Sequence, residues 1–460
     1  MKLKNLKGSV AIALLFLNLF NAKAQVKHVI LISIDGFHPD MYLDKDWPTS
    51  TLRYLMKEGV YADKLISIFP SYTYPSHTAM LTGAFPARSG IVFNQPKDSK
   101  GDWNWYAKYT KAPTIWKALH DRGLTTAAVY WPGTVDNPDI TYNLSEIWDN
   151  AHPDDRATVV REHAVPKGIF EEIERNATGR LDSTNMNDNY FSLDENVGRM
   201  AAYILQTYKP ALLALHFATV DGNEHAYGRD ADSVRLAVES NDRAIGDVLE
   251  AIDKAGIKDS TAVIVVGDHG FSTIHEIMRP NLLIRSLPVR FIAAGGSAFL
   301  YLKGEAKSAD AAMLVKKVTD SLNALPEAKR KLFRIIDRKE LDQMGADSSA
   351  ILALSGLQGS GLVFSGSTAP HQMENHGPGT LVQNNKLAGV FIPTTGGHHG
   401  YDPNIPDMWT GFIAAGAGII KAGYINSLRE VDIAPLIAKL LGIDFSTPDG
   451  KLVPGIIKNK

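Results

Sequence analysis

The stretch Val29-Ile-Leu-Ile-Ser-Ile34, closed by Asp35-Gly36, is an apolar run rich in β-branched residues, without the alternation of a half-exposed strand. Such a run reads as a strand buried on both faces, and strands of that kind sit in parallel sheets covered by helices on either side. The same grammar recurs outward along the chain. Residues 125–130 run into Trp131-Pro-Gly133, residues 211–217 come shortly before Asp221, residues 262–266 end in Gly267-Asp-His-Gly270, and residues 412–415 form a late strand. Between them lie helical patterns at 50–59, 112–123, 200–207 and 432–441. A further one at 233–255 carries Val234, Leu236, Ala237, Ala244, Ile245, Val248, Leu249 and Ile252 at helical spacing. The alternation predicts an α/β fold with a mixed, mostly parallel sheet and helices on both faces. There is no internal repeat, and the Gly/Ser-rich tract 355–367 reads as a loop.

Composition is that of an ordinary globular protein: 460 residues, 45% hydrophobic and 21% charged, enough for one large or two medium domains. The first 24 residues differ. Lys2, Lys4 and Lys7 precede an apolar run from Val10 to Leu17, continued by Leu19 and Phe20, and Ala22-Lys23-Ala24 matches a secretory cleavage site. The apolar core is too short to span a bilayer, so a cleaved signal and a periplasmic or secreted catalytic chain over 25–460 are expected, with no stable membrane anchor. Cleavage removes four lysines and no acids from a chain with 48 basic and 50 acidic side chains, leaving a net charge of −6. A mildly acidic surface argues against gripping duplex nucleic acid. With no cysteine, the exported protein relies on core packing or bound metal rather than disulfides.

Phe69-Pro-Ser-Tyr-Thr-Tyr-Pro-Ser-His-Thr-Ala-Met-Leu-Thr-Gly83 places Thr73 between two prolines, at the mouth of a helix whose first turn is expected around 76–81. Orphan amides and the positive helix end make that a place for an anion. A threonine there becomes a nucleophile only if its hydroxyl pKa is lowered, which a metal ion can do. Ligand-type residues cluster where the sheet would present them: Asp35, Asp221 and the pair Asp268-His269 follow apolar strands, at the edge where open α/β sheets bind ligands. Any one of them alone reads as a turn or cap residue. His225 lies four positions after Asp221, on the same face if the segment is helical. Adjacent in a turn, Asp268 and His269 are expected to diverge, and Gly396-Gly-His-His-Gly-Tyr401 offers two more imidazoles. Carboxylates and imidazoles gathered this way are a zinc ligand set.

The motifs Ile34-Asp-Gly36, Phe69 to His77, Gly90-Ile-Val-Phe-Asn94, Trp131-Pro-Gly133, Asp221 to His225 with Gly228, Gly267 to Gly270 and His399-Gly-Tyr401 occur in order. In them the chain resembles the nucleotide pyrophosphatase/phosphodiesterase branch of the alkaline phosphatase superfamily, over nearly all of its mature length. Ser76 stands where that family usually has Asn, and Gly267 where it usually has Ser; neither position is a metal ligand. The resemblance implies an alkaline-phosphatase-like sheet and two zinc ions per chain. Asp35, Thr73, Asp268 and His269 would surround one ion, and Asp221, His225 and His399 the other. It implies further that Thr73 is the nucleophile and that Asn94 donates to a phosphoryl oxygen. Tyr74, Trp131 and Tyr142 resemble positions that clamp the nucleoside, with core packing the other reading, Trp131 above all. His398 reads as a neighbour of the ligands rather than one of them.

The resemblance thus implies a phosphodiesterase or nucleotide pyrophosphatase acting on a small nucleotide or other phosphodiester through a phosphothreonine. The alternatives are a monoesterase, a lipid-headgroup diesterase or a sulfatase of the same superfamily, and, from another class, a secreted binding module. Sulfatases of the superfamily carry a modified cysteine or serine where this chain has threonine, and the neighbourhood of Trp131-Pro-Gly-Thr134 offers no cation for a monoester's extra charge. The 130 positions between His269 and His399 exceed one crossover, so a cap insertion is expected at about 275–395.

Overall fold

The structure is a computed structural model that describes residues 25–99, 101–187, 191–304, 310–369, 387 and 389–458. The expected signal at 1–24 lies outside the described residues. Eight strands form the central sheet: β1 (His28–Ile34), β2 (Gly59–Ile66), β3 (Thr126–Val129), β4 (Tyr142–Leu144), β5 (Leu212–Phe217), β6 (Thr261–Gly267), β7 (Phe412–Gly416) and β8 (Gly423–Arg429). Their order is β8-β2-β7-β6-β1-β5-β3-β4, and only β7 runs against its neighbours. The main helices are α1 (Ser50–Glu58), α2 (Thr73–Thr82), α3 (Ser192–Tyr208), α4 (Thr219–Tyr227), α5 (Asp232–Lys254) and α6 (Ile433–Leu441).

Residue alternation in β1 divides the core in two. Ile30, Ile32 and Ile34 pack with Val197 and Ile204 of α3 and Ile245 and Val248 of α5, whereas Val29 and Leu31 face Met80 and Leu81 of α2 and Ile433 and Ile437 of α6. Each fully buried aliphatic of this kind contributes about 1.5–3 kcal/mol through removal from water. The register levels the strand ends: Ile34 lies opposite both Phe217 and Gly267. Asp35, Asp268 and the entry to α4 therefore leave the sheet along one edge.

Several sequence expectations shift. The helix read at 200–207 begins at Ser192, and the one at 112–123 contracts to Ile115–His120. Strands β2, β4 and β8 are additional to the expected ones; β2 starts at Gly59, the residue that also ends α1. The tract 355–367 is not a plain loop. Leu352–Gly356 and Leu362–Phe364 are buried strands: Ser355 and Gly356 lie within the first, Gly359, Ser360 and Gly361 make the turn between them, and Ser365, Gly366 and Ser367 follow the second. The segment 275–395 contributes an antiparallel sheet whose strands lie in the order Phe333–Ile336, Leu352–Gly356, Ser297–Leu302, Val289–Ala294. Helix Ala311–Asn323 packs on it through Leu314, Val318 and Leu322, giving this segment an apolar cluster of its own. No helix among the described residues is long and apolar enough to cross a membrane.

The turn from β5 into α4 is held from outside. Asp194 of α3 accepts from the amides of Ala218 (2.9 Å) and Thr219 (3.0 Å) and from Asn241 Nδ2 (2.8 Å). A buried carboxylate thus satisfies the first amides of the helix that carries Asp221 and His225. Asp194→Ala leaves those donors dry and is expected to lower unfolding free energy by about 1–3 kcal/mol. Chemical denaturation checks this, and a change under about 0.5 kcal/mol contradicts the capping role.

Candidate active site

Helix α2 begins at Thr73, three residues earlier than expected. Pro75 is its third residue, where the missing N–H removes no helical hydrogen bond. Gly83 closes it in the left-handed conformation (φ 62°), its amide bonded to Ala79 O at 2.9 Å. Thr73 is thus buried at the helix start rather than presented on a flexible loop. His77, one turn on, bonds its Nδ1 to Thr73 O at 2.8 Å and fixes that first turn.

Around Thr73 the strand ends converge. His269 Nε2 lies 3.4 Å from Thr73 Oγ1, 3.1 Å from Asp35 Oδ1 and 3.3 Å from Asp268 Oδ2. The expected divergence of Asp268 and His269 does not occur. Asp268 Oδ1 accepts from the amides of His269 (3.0 Å) and Gly36 (3.2 Å), and this local loop turns Oδ2 toward the His269 ring. Glycine is required just before: a Cβ at Gly267 would lie 2.0 Å from Thr410 Oγ1 and 2.7 Å from Phe37 O.

The second group adjoins the first. His225 Nε2 and His399 Nε2 lie 3.4 and 3.7 Å from Asp221 Oδ1. Helix α4 puts Asp221 and His225 on one face, as their spacing predicts. The rings of His269 and His399 stack at 3.6 Å with 5° between planes, joining the two groups. His225 Nδ1 is bonded to Gly397 O at 3.1 Å and His399 Nδ1 to Ser71 O at 2.9 Å, which leaves each Nε2 with its lone pair. His398 also lies in reach of His225 and His399, yet its Nδ1 accepts the His399 amide at 3.0 Å.

Two carboxylate oxygens, Asp35 Oδ1 and Asp268 Oδ2, are buried and accept no hydrogen bond. That is costly unless a cation faces them. Four-coordinate zinc with bonds of about 2.0–2.1 Å separates its ligands by about 3.3–3.4 Å. The separations of 3.1–3.4 Å around His269 Nε2 fit that ion, and so does the mixed carboxylate, imidazole and hydroxyl set.

Electrostatics agree. Burial raises the Asp35 pKa, but the charge of His269 and the hydrogen bond of His216 outweigh it and hold the carboxyl well below the usual range. Burial and the charge of Asp35 push Asp268 up instead. Burial lowers His225 to about 4, and with the neighbouring imidazoles it holds His399 well below its ordinary value. Both are neutral and able to act as ligands at neutral pH.

The remaining expected site residues separate. Asn94 Oδ1 accepts the Tyr74 amide at 3.0 Å, which satisfies that helix amide and leaves Nδ2 as the side chain's donor. Tyr74 is buried and donates to Glu146 Oε1 at 2.9 Å. Trp131 is buried in the core beneath α2, edge-on to His77 at 4.8 Å, which is the packing reading. Tyr142 stacks on Tyr208 at 4.2 Å and sits two residues short of the strand's end. Two buried residues are not legible in the sequence: His216, whose Nε2 lies 3.1 Å from Asp35 Oδ2, and Glu146, 3.0 Å from His216 Nδ1. A histidine inside the apolar run Leu-Leu-Ala-Leu-His-Phe is the one available signal.

Against known proteins, residues 29–402 match the family described as Type I phosphodiesterase / nucleotide pyrophosphatase. A bis(5'-adenosyl)-triphosphatase of Mus musculus is 22% identical over 454 residues, covering 94% of this chain and 81% of that protein. Ectonucleotide pyrophosphatase/phosphodiesterase family member 7 of Rattus norvegicus is 22% identical, covering 95% and 88%. Among solved structures, murine ectonucleotide pyrophosphatase / phosphodiesterase 5 superposes with a TM-score of 0.65 at 19% identity, covering 92% of this chain and 97% of the other. The same murine protein has also been solved in inactive form in complex with AMP.

Proposed function

The chain belongs to the type I phosphodiesterase / nucleotide pyrophosphatase family, and from that membership we propose that it is an exported, zinc-dependent enzyme hydrolysing phosphodiester or phosphoanhydride bonds of nucleotides through a phosphothreonine at Thr73. It is a phosphoric diester hydrolase. The observation that most supports the finer reading is the gathering of Thr73 Oγ1, Asp35 Oδ1 and Asp268 Oδ2 within 3.1–3.4 Å of His269 Nε2. Asp35, Thr73, Asp268 and His269 would hold one zinc, and Asp221, His225 and His399 the second. Bound there, zinc supplies Lewis acidity that lowers a hydroxyl pKa and offsets phosphoryl charge.

The protein's own residues do the rest. Thr73 Oγ1 attacks phosphorus as the bond to the leaving group breaks, and water then cleaves the phosphothreonine and restores the hydroxyl. His77 holds the Thr73 carbonyl and so aims the first turn of α2. Asn94, fixed by the Tyr74 amide and by its own carbonyl's bond from Asn104 N (2.8 Å), offers Nδ2 to a non-bridging oxygen. The core packing of Trp131 and the stacking of Tyr142 on Tyr208 leave nucleoside binding to other surfaces, and the segment 275–395 is proposed as the cap over that side. Export rests on the signal-like residues 1–24.

A diester carries one less charge than a monoester, and no lysine or arginine among the described residues hydrogen-bonds Thr73 or Asn94. Catalytic efficiency on an aryl nucleotide diester is expected to exceed that on an aryl phosphate monoester by about a hundredfold or more, roughly 3 kcal/mol in transition-state binding. A substrate panel on purified protein measures this, and equal efficiencies favour the monoesterase reading.

A further inference from the structure

His216 is the one polar residue in the strand Leu212–Phe217, and it is fully buried there. Its two ring nitrogens face two carboxylates: Nε2 lies 3.1 Å from Asp35 Oδ2, and Nδ1 lies 3.0 Å from Glu146 Oε2. Glu146 uses its other oxygen to accept from Tyr74 Oη at 2.9 Å. All four side chains are buried, at 4% exposure for Asp35, 5% for Glu146 and 1% each for His216 and Tyr74. The chain of contacts therefore starts beside Thr73 on α2, crosses the loop after β4 and strand β5, and ends on the turn after β1.

The ring has little freedom to rotate. His77 meets it edge-on at 4.5 Å, and Tyr130 lies parallel to it at 6.4 Å with 17° between planes. Tyr130 is itself held by Arg156 Nη1, 2.6 Å from its hydroxyl. With Oδ2 engaged by His216, Asp35 presents only Oδ1, the oxygen that accepts no hydrogen bond and lies 3.1 Å from His269 Nε2. A carboxylate lacking that restraint can rotate and offer both oxygens, which changes the coordination number available to Thr73.

We propose that His216, braced by Glu146, is a positioning residue that holds Asp35 to a single metal-facing oxygen and, through Tyr74, ties that oxygen to the helix carrying Thr73. This rests on the reading that Asp35 and Thr73 share a zinc ion. It assigns Tyr74 to the frame of the site rather than to a face of the nucleoside.

Two polar replacements separate the arms of the imidazole. The amide nitrogen of His216→Gln reaches where Nε2 stood and can donate to Asp35; that of His216→Asn reaches only where Nδ1 stood, toward Glu146. Zinc release from the full-length loaded protein to a chromogenic chelator is the readout, with kcat and KM on an aryl nucleotide diester beside it. Loss of a restraint behind a ligand weakens metal sites by about ten- to a hundredfold. His216→Asn is therefore expected to release one zinc at least tenfold faster than His216→Gln, with kcat reduced and KM within about threefold of wild type. Tyr74→Phe is expected to lower kcat at unchanged KM. Equal release from the two His216 variants, or a Tyr74→Phe effect confined to KM, overturns the proposal while wild-type zinc content leaves the zinc reading intact. A wild-type protein that binds no zinc and ignores chelator removes the zinc reading itself, and the proposal with it.

Discussion

Thr73→Ala is expected to fold normally and to lose turnover of nucleotide diesters by about a thousandfold or more. The hydroxyl lies 3.4 Å from His269 Nε2, inside the ring of ligand-type atoms, so its removal abolishes the covalent step and leaves slow direct attack by water. The helix should survive. Thr73 is its first residue, Tyr72 caps it without a side-chain hydrogen bond, and His77 binds the Thr73 carbonyl rather than its side chain. Thr73→Ser places an oxygen at the same point with less rotamer restriction and should stay within about tenfold of wild type. Steady-state kinetics decide it. Alanine that weakens substrate affinity modestly at unchanged kcat is the pattern of a binding module.

His399→Ala is expected to cost both metal and turnover. The imidazole is buried, stacked on His269 at 3.6 Å, with Nδ1 bonded to Ser71 O and Nε2 3.7 Å from Asp221 Oδ1. Purified wild type should contain about two zinc ions per chain, and the variant about one, with activity down by about a hundredfold or more. Elemental analysis beside the diester assay measures both. Full metal content at normal turnover contradicts the assignment.

Much of this site is visible in the sequence because a parallel sheet ends along one line. Asp35 and Asp268 follow strands that the register levels at Ile34 and Gly267, so a search for acids just after apolar runs finds them. Asp221 and His225 are legible through helical spacing. What fails is local geometry set by distant partners. The convergence of Asp268 with His269 depends on the Gly36 amide, 232 positions away, and the Asp35 to His216 contact spans 181 positions. Neither has a sequence period. The loop expected at 355–367 fails for another reason: its glycines and serines punctuate two buried strands instead of replacing them. Trp131 and Tyr142 carry motif-like neighbours, yet their rings are taken by His77 and Tyr208. A resemblance in sequence order does not fix which face an aromatic side chain presents.

If Thr73 carries the phosphoryl group between two chemical steps, the adduct can be caught. Mass spectrometry of enzyme quenched in acid during turnover of a slow nucleotide diester looks for it. The expected spectrum holds a phosphorylated or nucleotidylated peptide whose modified residue is Thr73, absent from Thr73→Ala. Consistent absence of the adduct from wild type, together with Thr73→Ala turning over near the wild-type rate, would overturn the covalent mechanism.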